Sequence, residues 1–348
     1  MLQHAGAAGM NPSPTQFTSI GGQAVIEGVM MRSPHFIAVA VRRPDGKIVI
    51  RQQPFVGVAK RFPILRKPVI RGVAILIESM LQGMEALSYS ARIGLSDEVT
   101  FGVTQKTEKI EKMSGLAVFG AVVMAFVVGG GLFVALPHFL AACVVRVGNP
   151  LFHLLDGILK MGILLGYVYL IAQMKDIYRV FQYHGAEHKS IYTFEAGEEL
   201  SVENARKYTT LHPRCGTSFL FFLILISILV FSAIFPLLGL TSHFVIVPLK
   251  LILMLPVAGL SYEFIKLCAC RMESPLFRAM IWPGMILQKL TTREPTDDQL
   301  EIALASLKQV LFLEKGELGE EAGAEETMFG NLAEIGWVAA TAAEFPEV

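Results

Sequence analysis

The sequence has few charged residues, few cysteines and no net charge. Charged residues make up only 17% of the chain and hydrophobic residues 53%, whereas a soluble globular protein usually carries about 25% charged residues. Lysine plus arginine (30) balance aspartate plus glutamate (30), so no basic excess indicates a nucleic acid partner. Four cysteines without paired spacing exclude a disulfide framework and a zinc ribbon.

The beginning of the chain lacks the two features of a secretory signal peptide. Residues 1–20 contain neither a basic start nor a sustained apolar run, and both are needed for such a signal. We therefore predict no signal peptide here and expect residues 1–18 to be a disordered lead.

Four long apolar segments are present. A membrane-spanning helix needs about 20 mostly apolar residues, and segments at about 116–136, 152–173, 219–240 and 246–266 meet that requirement. Any one of them alone is also compatible with a buried helix of a soluble protein. Four together, one of them without charge over "FLFFLILISILVFSAIFPLLGL", predict a polytopic membrane protein.

Basic residues concentrate on one side of these spans. They precede the first span, fill the connection between the second and third, and follow the fourth: Lys106, Lys109, Lys112, Lys175, Arg179, Lys189, Arg206, Lys207, Arg214, Lys266, Arg271, Arg278, Lys289 and Arg293. The other two connections hold little beyond Arg146 and Lys250. Cytoplasmic loops are enriched in lysine and arginine. Both termini and the 174–216 loop are therefore expected in the cytosol.

The segment before the spans predicts a small cytosolic α+β domain over residues 19–100. Two β-branched runs joined by Pro44-Asp45-Gly46 indicate a β-hairpin. Residues 68–94 indicate an amphipathic helix, either packed on that domain or lying at the membrane interface. The predicted fold class is thus an α-helical polytopic membrane protein of about four transmembrane helices, with a small N-terminal α+β domain that contains a β-hairpin.

The remaining segments complete the predicted organisation. Residues 101–115 are expected to be a linker into a transmembrane region over 116–270. Interfacial and amphipathic helices follow over 271–313, where Thr296 and Gln299 form a capping box. Residues 314–348, rich in glutamate, alanine and glycine, are predicted to be a disordered acidic tail.

The stretch "YHGAEHKS" (183–190) contains the pattern H-x-x-E-H. On a helix, His184 and His188 lie four residues apart on one face, where two imidazoles can bind one metal ion. Glu187, beside the second histidine, is placed to act as a general base. The alternative is two ordinary histidines, because the pattern is short and Gly185 weakens a helix.

Two further ligand types follow in the same loop. His212 precedes a proline and so lies outside a helix, and Cys215 stands at the start of the third span. A catalytic zinc needs three protein ligands and an open position, which this loop can supply from His184, His188, His212 and Cys215. Cys215 is alternatively a nucleophile, since a helix N-terminus and nearby cations favour the thiolate, or a small packed residue.

A lone acid, Glu27, lies in the glycine-rich stretch "GGQAVIEGVMMR". Glycines suit backbone that bends or approaches another group closely. We interpret Glu27 as a second catalytic acid or as a group around the metal site. The alternative is that this stretch only leads into a strand.

Several phrases together resemble the YqhQ-like family of bacterial integral membrane proteins. They are "GGQAVIEGVMMRSP", "YHGAEHKSIYTFE", "ENARKYTTLHPRCGTSF" and "LTTREPTDDQLEIA", and the similarity covers roughly residues 19–312. The family is described as a domain of unknown function and as predicted metal-dependent enzymes. The resemblance implies a role for its motif residues, all present here: Glu27, His184, Glu187, His188, His212 and Cys215. It also implies location in a bacterial cytoplasmic membrane, but no particular substrate.

The first functional hypothesis is a metal-dependent hydrolase at the membrane surface, with a divalent metal ion, zinc by preference, and a lipid-linked or membrane-protein substrate. The second is a non-enzymatic accessory or docking protein of membrane-protein assembly or regulation, with a structural metal site or none. A transporter ranks third, because ionisable residues in the spans are few: Asp156, Lys160 and Glu263. Homo-oligomerisation is left open.

Overall fold

Four helices of the protein, described here from a computed structural model, are long and apolar enough to cross a membrane. The structure describes residues 19–58, 62–94, 115–149, 151–272, 274–316 and 325–335. The predicted lead (1–18), the end of the predicted N-terminal domain with most of the predicted linker (95–100 and 101–114), and two parts of the predicted tail (317–324 and 336–348) lie outside the described residues.

The described chain forms five strands and ten helices. In chain order they are β1 (Gly21–Val25), β2 (Gly28–Arg32), β3 (Phe36–Arg42), β4 (Ile48–Pro54), α1 (Ile70–Gly94), α2 (Gly115–Gly130), α3 (Leu136–Ala142), α4 (Leu151–Ile171), α5 (Lys175–Glu195), α6 (Val202–Arg206), α7 (Gly216–Leu238), α8 (His243–Ala269), α9 (Pro275–Thr291), α10 (Asp297–Glu314) and β5 (Glu325–Phe329). This order confirms the predicted fold class, a helical membrane protein with an N-terminal α+β part.

The four candidate spans lie close to the predicted segments. Three of them coincide with α4, α7 and α8, and the remaining one, the first in the chain, covers Val123–Ala142. This first span ends later than the predicted 116–136 because a π-helical turn, Gly131–Ala135, joins α2 to α3. Pro137 follows this turn directly, where the helical hydrogen-bond ladder is already interrupted, so its missing N–H does not end the helix.

The strands form an antiparallel meander in the order β1-β2-β3-β4-β5. The predicted hairpin is its β3–β4 pair, and Gly46 takes a positive φ of 86° in the connecting turn, a conformation that glycine adopts without strain. One face of the sheet packs on α1, through a cluster that includes Val39 and Tyr89. The other packs on α5 and α10, through a cluster that includes Ile50 and Leu304.

Helix α10 is the main cover of the second sheet face. The apolar stripe of this predicted amphipathic helix is buried throughout: Leu300, Ala303, Leu304, Leu307 and Leu311. The helix begins as expected, since the Gln299 side chain accepts a hydrogen bond from the Thr296 amide at 2.9 Å. The Ser306 hydroxyl also donates to the Ala38 carbonyl at 2.9 Å. The stripe therefore packs within this protein and joins the C-terminal helix to the N-terminal sheet.

The predicted disordered tail requires a correction, because part of it is ordered. Strand β5 pairs with β4 in register from Gln52–Glu325 to Ile48–Phe329. Ile335 is 3% exposed in the same core as α10. Backbone hydrogen bonds complete the open edge of β4 whatever the side-chain composition of the added strand. An acidic composition therefore did not prevent Glu325–Phe329 from joining the sheet.

Helix α1 connects the sheet to the membrane-spanning helices. Arg71 forms a two-point ion pair with Glu263 of α8, with 2.6 Å between Arg71 Nε and the nearer carboxylate oxygen. A Cβ on Gly259 of α8 would lie 2.3 Å from the carbonyl oxygen of Val69. Helix α8 and the segment that leads into α1 therefore meet backbone to backbone at this point, which only glycine permits.

This contact predicts that Gly259→Ala destabilises the protein. The added methyl group overlaps a main-chain carbonyl that cannot rotate away, and such overpacking costs about 1–3 kcal/mol. We expect a lower midpoint of thermal unfolding in detergent for this variant. Gly166→Ala on α4 is the matched control, because its Cβ would meet nothing within 4 Å. Equal midpoints for the two variants would contradict the packing described here.

Candidate metal centre

Helix α5 carries the H-x-x-E-H pattern at the point where the membrane helices meet the sheet domain. It begins at Lys175, after a break that follows α4, and ends at Glu195. Gly197, two residues later, has a φ of 71°, which is a common way to end a helix. The second half of α5 is buried almost throughout. The predicted motif therefore lies in a helix that is enclosed by other elements.

His184, His188 and Cys215 form a compact cluster. One ligand atom from each lies within 4.8 Å of the others. The two imidazole rings have centroids 4.5 Å apart, as their i, i+4 spacing predicts. Cys215 is the N-cap of α7, and its Sγ lies 3.1 Å from His184 Nε2. Zinc ligands in a tetrahedral site lie about 2.0–2.3 Å from the ion, so small side-chain movements allow these three atoms to surround one ion.

Main-chain carbonyls orient both histidines. His184 Nδ1 donates to the Thr291 carbonyl at 2.9 Å, and His188 Nδ1 donates to the Thr210 carbonyl at 2.5 Å. These bonds leave Nε2 of each ring facing the cluster. Histidines that bind metal ions usually donate their other N–H to such an acceptor, which sets the tautomer and the ring orientation. The donor set therefore fits a metal ion such as zinc.

Glu187 lies beside the cluster, one residue before His188. Its Oε2 is 4.0 Å from His184 Nε2, and the side chain is buried. Burial raises the pKa of this carboxyl group, while His188 and His184 act in the opposite direction and the Gly22 amide donates a hydrogen bond to it. A Cβ on Gly22 would lie 2.9 Å from the Glu187 side chain. Glycine in β1 therefore lets the strand approach the carboxylate.

Without a metal ion, the cluster contains an imidazolium and a thiolate. Burial alone would raise the pKa of Cys215, but His184 and His188 bring it well below its ordinary value of 9.0. Burial alone would lower the pKa of His184, but the Cys215 thiolate, Glu187 and the Thr291 carbonyl raise it to about 9. A proton on His184 thus supplies positive charge to the thiolate, and a divalent cation would supply it in the proton's place.

His212, the fourth predicted ligand, lies next to the cluster and has other partners. Its Nε2 is 3.4 Å from Glu195 Oε2, and its Nδ1 accepts from the Arg214 amide at 3.4 Å. Burial lowers the pKa of His212 to about 4, so the ring is neutral. The ring is tilted against that of His188, with 5.5 Å between centroids. Glu195 also pairs with Arg214. The structure thus brings three of the four predicted ligands together and gives the fourth to Glu195.

Glu27, the second predicted acid, binds side chains of α5 from the turn between β1 and β2. Its carboxylate forms a two-point ion pair with Arg179, with 2.5 Å between Arg179 Nε and the nearer oxygen. It also accepts from the Tyr183 hydroxyl at 3.3 Å. Glu27 has a φ of 51° in the turn between β1 and β2. Among the described contacts, those of Glu27 hold this turn against α5 and do not include the three cluster residues.

The sequence did not indicate which main-chain groups orient the site. The carbonyls of Thr210 and Thr291 belong to segments about 80 residues apart, and carbonyls carry no sequence signal. Gly185 is a signal in the sequence, but by itself it indicates only a weaker helix. A Cβ there would lie 2.1 Å from the Arg293 carbonyl oxygen. Glycine at this position lets α5 approach the segment that accepts the hydrogen bond from His184.

These charges predict that Cys215 is a thiolate at neutral pH in protein from which metal has been removed with a chelator. Because its pKa is lowered, the thiolate is expected to protonate only as the pH falls well below 9. Thiolate absorbance in the far ultraviolet measures this, with Cys215→Ser as the blank. His184→Gln should shift the titration to higher pH, since burial is then opposed by fewer charges. A titration that does not move in His184→Gln would contradict this electrostatic account.

Comparison with known proteins gives the family of the chain. Residues 67–312 match the family model described as "Protein of unknown function (DUF1385)". The chain is 35% identical over 310 residues to the uncharacterized protein YqhQ of Bacillus subtilis (strain 168), an alignment that covers 84% of this chain and 92% of that protein. No solved structure matches. With the fold and these matches together, the chain belongs to the DUF1385 family, as its resemblance to YqhQ-like proteins predicted.

Proposed function

We propose that the protein is a metal-dependent hydrolase at the cytosolic surface of the membrane. The observation that carries this proposal is the cluster itself: three ligand atoms within 4.8 Å of one another, with a carboxylate oxygen 4.0 Å from one of them. Three protein ligands with a fourth position left for water or substrate are typical of catalytic zinc sites, whereas structural sites have four protein ligands.

His184, His188 and Cys215 would hold the metal ion, with zinc the best match to two imidazoles and a thiolate. The chemistry that a zinc ion held there would supply is polarisation of a carbonyl or phosphoryl group and a lower pKa of water. Glu187 would take the proton of the attacking water and pass it to the leaving group. Its raised pKa suits both steps, since a general base works best with a pKa near the working pH.

The residues around the cluster would position it. Glu195 and Arg214 hold His212 against the His188 ring, so His212 would support the site without binding the metal. Glu27 would act in the same indirect way, by fixing β1 against α5 through Arg179. This assignment replaces the direct roles that the sequence predicted for these two residues.

The cytosolic orientation and the substrate class are parts of the same proposal. The connections that surround the cluster carry most of the basic residues, which favours the cytosolic side. Cys215 directly precedes the candidate span Gly216–Leu238. A site at that level suits a substrate that is itself held in the membrane, such as a lipid-linked molecule or a membrane protein.

A structural metal site in a docking protein is the second candidate, and the burial of the cluster favours it. His188 and Glu187 are 1% and 5% exposed, and Cys215 is 8% exposed. The His184 side chain, at 15%, is the most exposed of the group. A substrate would therefore reach the cluster from the His184 side or after a movement of the surrounding segments.

The metal content of the purified protein tests the ligand assignment. Without an affinity histidine tag, elemental mass spectrometry should find about one equivalent of a divalent metal, as expected for one three-ligand site. His188→Ala and Cys215→Ser should lose it, because each leaves only two ligands. His212→Gln should keep it, with weaker binding, since loss of a supporting residue costs about 10–100-fold in affinity. Metal-free protein after metal is added back would rule out the site.

The role of Glu187 is tested separately. Glu187→Gln should keep the metal and lose about 10²-fold or more of any hydrolysis, which is the usual contribution of a general base. Chromogenic esters, phosphoesters and peptides in mixed micelles are suitable probes. Glu203→Gln on the short helix α6 is the matched control. Two outcomes, each with metal bound, would support the structural role of the site instead. In one, Glu187→Gln hydrolyses every probe as fast as the wild type; in the other, the wild type hydrolyses none of them.

A further inference from the structure

The end of the bundle opposite the metal cluster contains a second group of buried ionisable side chains. Asp156 and Lys160 lie on α4 and His138 lies on α3. Lys250, which the sequence grouped with the connections between spans, lies inside α8. Each of them is at most 4% exposed. Lys250 follows the first residue of α8 by about 10 Å along the helix axis, so the group lies inside the apolar bundle. Ionisable residues in such a place are costly, and they usually mark an ion or proton pathway.

This buried group contains two lysines but only one carboxylate. Asp156 Oδ2 lies 2.7 Å from Lys250 Nζ and 3.7 Å from Lys160 Nζ, so one carboxylate is shared by two lysines. A carboxylate balances one ammonium, and the second is then an unpaired charge in an apolar interior. Such a charge is avoided when the group gives up its proton. The geometry therefore favours a lysine that exchanges a proton rather than a permanently charged one.

A chain of hydrogen bonds connects Lys250 with the surface. Its ammonium is 3.1 Å from His138 Nδ1, and His138 Nε2 is 2.9 Å from His243 Nδ1. His243 is partly exposed and lines an open cavity of about 770 Å³, together with Arg146, Asn149 and other residues of the surface connections. Lys160 also contacts Asp156 and the face of the Phe231 ring, but no hydrogen bond among the described residues joins it to a histidine. Lys250 is therefore the lysine with a path to solvent.

We propose that Lys250 is a proton-binding site that exchanges with this end of the bundle through His138 and His243. A proton from water binds His243 Nε2, the Nδ1 proton of His243 moves to His138 Nε2, and the Nδ1 proton of His138 moves to the Lys250 amine. One N–H bond forms at Lys250 as an ammonium, the water loses one proton, and both histidines end neutral. Release follows the same hydrogen bonds in the opposite direction.

The titratable and charged groups that face Lys250 come from three of the four elements around it. They are His138 from α3, His153, Asp156 and Lys160 from α4, and His243 from α8 itself. Helix α7 contributes the Phe231 ring, 5.7 Å from Lys250 Nζ. Both ring nitrogens of His153 and Oδ1 of Asp156 are buried without a partner among the described residues. These atoms are therefore available as hydrogen-bond partners when Lys250 gains or loses a proton.

Charge movement after a pH step tests the proposal. Liposomes that contain the full-length protein are adsorbed on a solid-supported membrane, and the external solution is stepped to lower pH at constant ionic strength. The wild type should give a transient current, since a proton enters the apolar bundle. Lys250→Met should abolish it. Lys266→Met, the same change at the other end of the same helix, should leave it intact.

His243→Gln provides a second test that does not disturb the buried charges. Its side chain is at the surface, so the variant should fold, and the same charge should move with a slower rise because the entry step is lost. The proposal is overturned if Lys250→Met moves as much charge as the wild type, if His243→Gln rises as fast as the wild type, or if wild-type liposomes respond like protein-free liposomes.

Discussion

The close approach of helix α5 to main chain on two sides is the constraint on which the candidate metal centre depends. On one side Gly185 brings the helix against the Arg293 carbonyl, and on the other Gly22 brings β1 against Glu187. Side chains at either position would force the helix outwards by the width of a methyl group. The hydrogen bond from His184 to the Thr291 carbonyl would then be lost, and with it the orientation of the ring.

The two ends of the chain build one domain around this helix. The sheet is sandwiched between α1 on one face and α5 with α10 on the other, and β5 completes its open edge. Residues of the cluster and their hydrogen-bond partners therefore come from β1, α5, the 209–215 segment and α9. None of these segments can hold the site alone. The stability of the sheet domain and the geometry of the cluster are consequently coupled.

Buried charge is organised differently at the two ends of the membrane-spanning bundle. At the cluster, the Cys215 thiolate faces two histidines and the buried Glu187, a donor set that suits a cation. At the opposite end, two lysines share one carboxylate, so positive charge is in excess. Both arrangements are expensive in an apolar surrounding. Each is therefore more readily explained by exchange of a cation or a proton than by stability.

The sequence by itself determined the membrane class, the hairpin, the start of α10 and the i, i+4 pair of histidines. These are local properties: the length of an apolar run, a turn tripeptide, a capping box and the period of a helix. Only the tertiary structure decided that Cys215 and not His212 joins the pair, that Glu27 binds Arg179, and that the acidic tail adds a strand. It also decided that Lys250 meets Asp156, which the sequence separates by 94 positions. Those outcomes depend on which backbone carbonyls and charged groups lie opposite one another after folding, and such groups carry no local signal in the sequence.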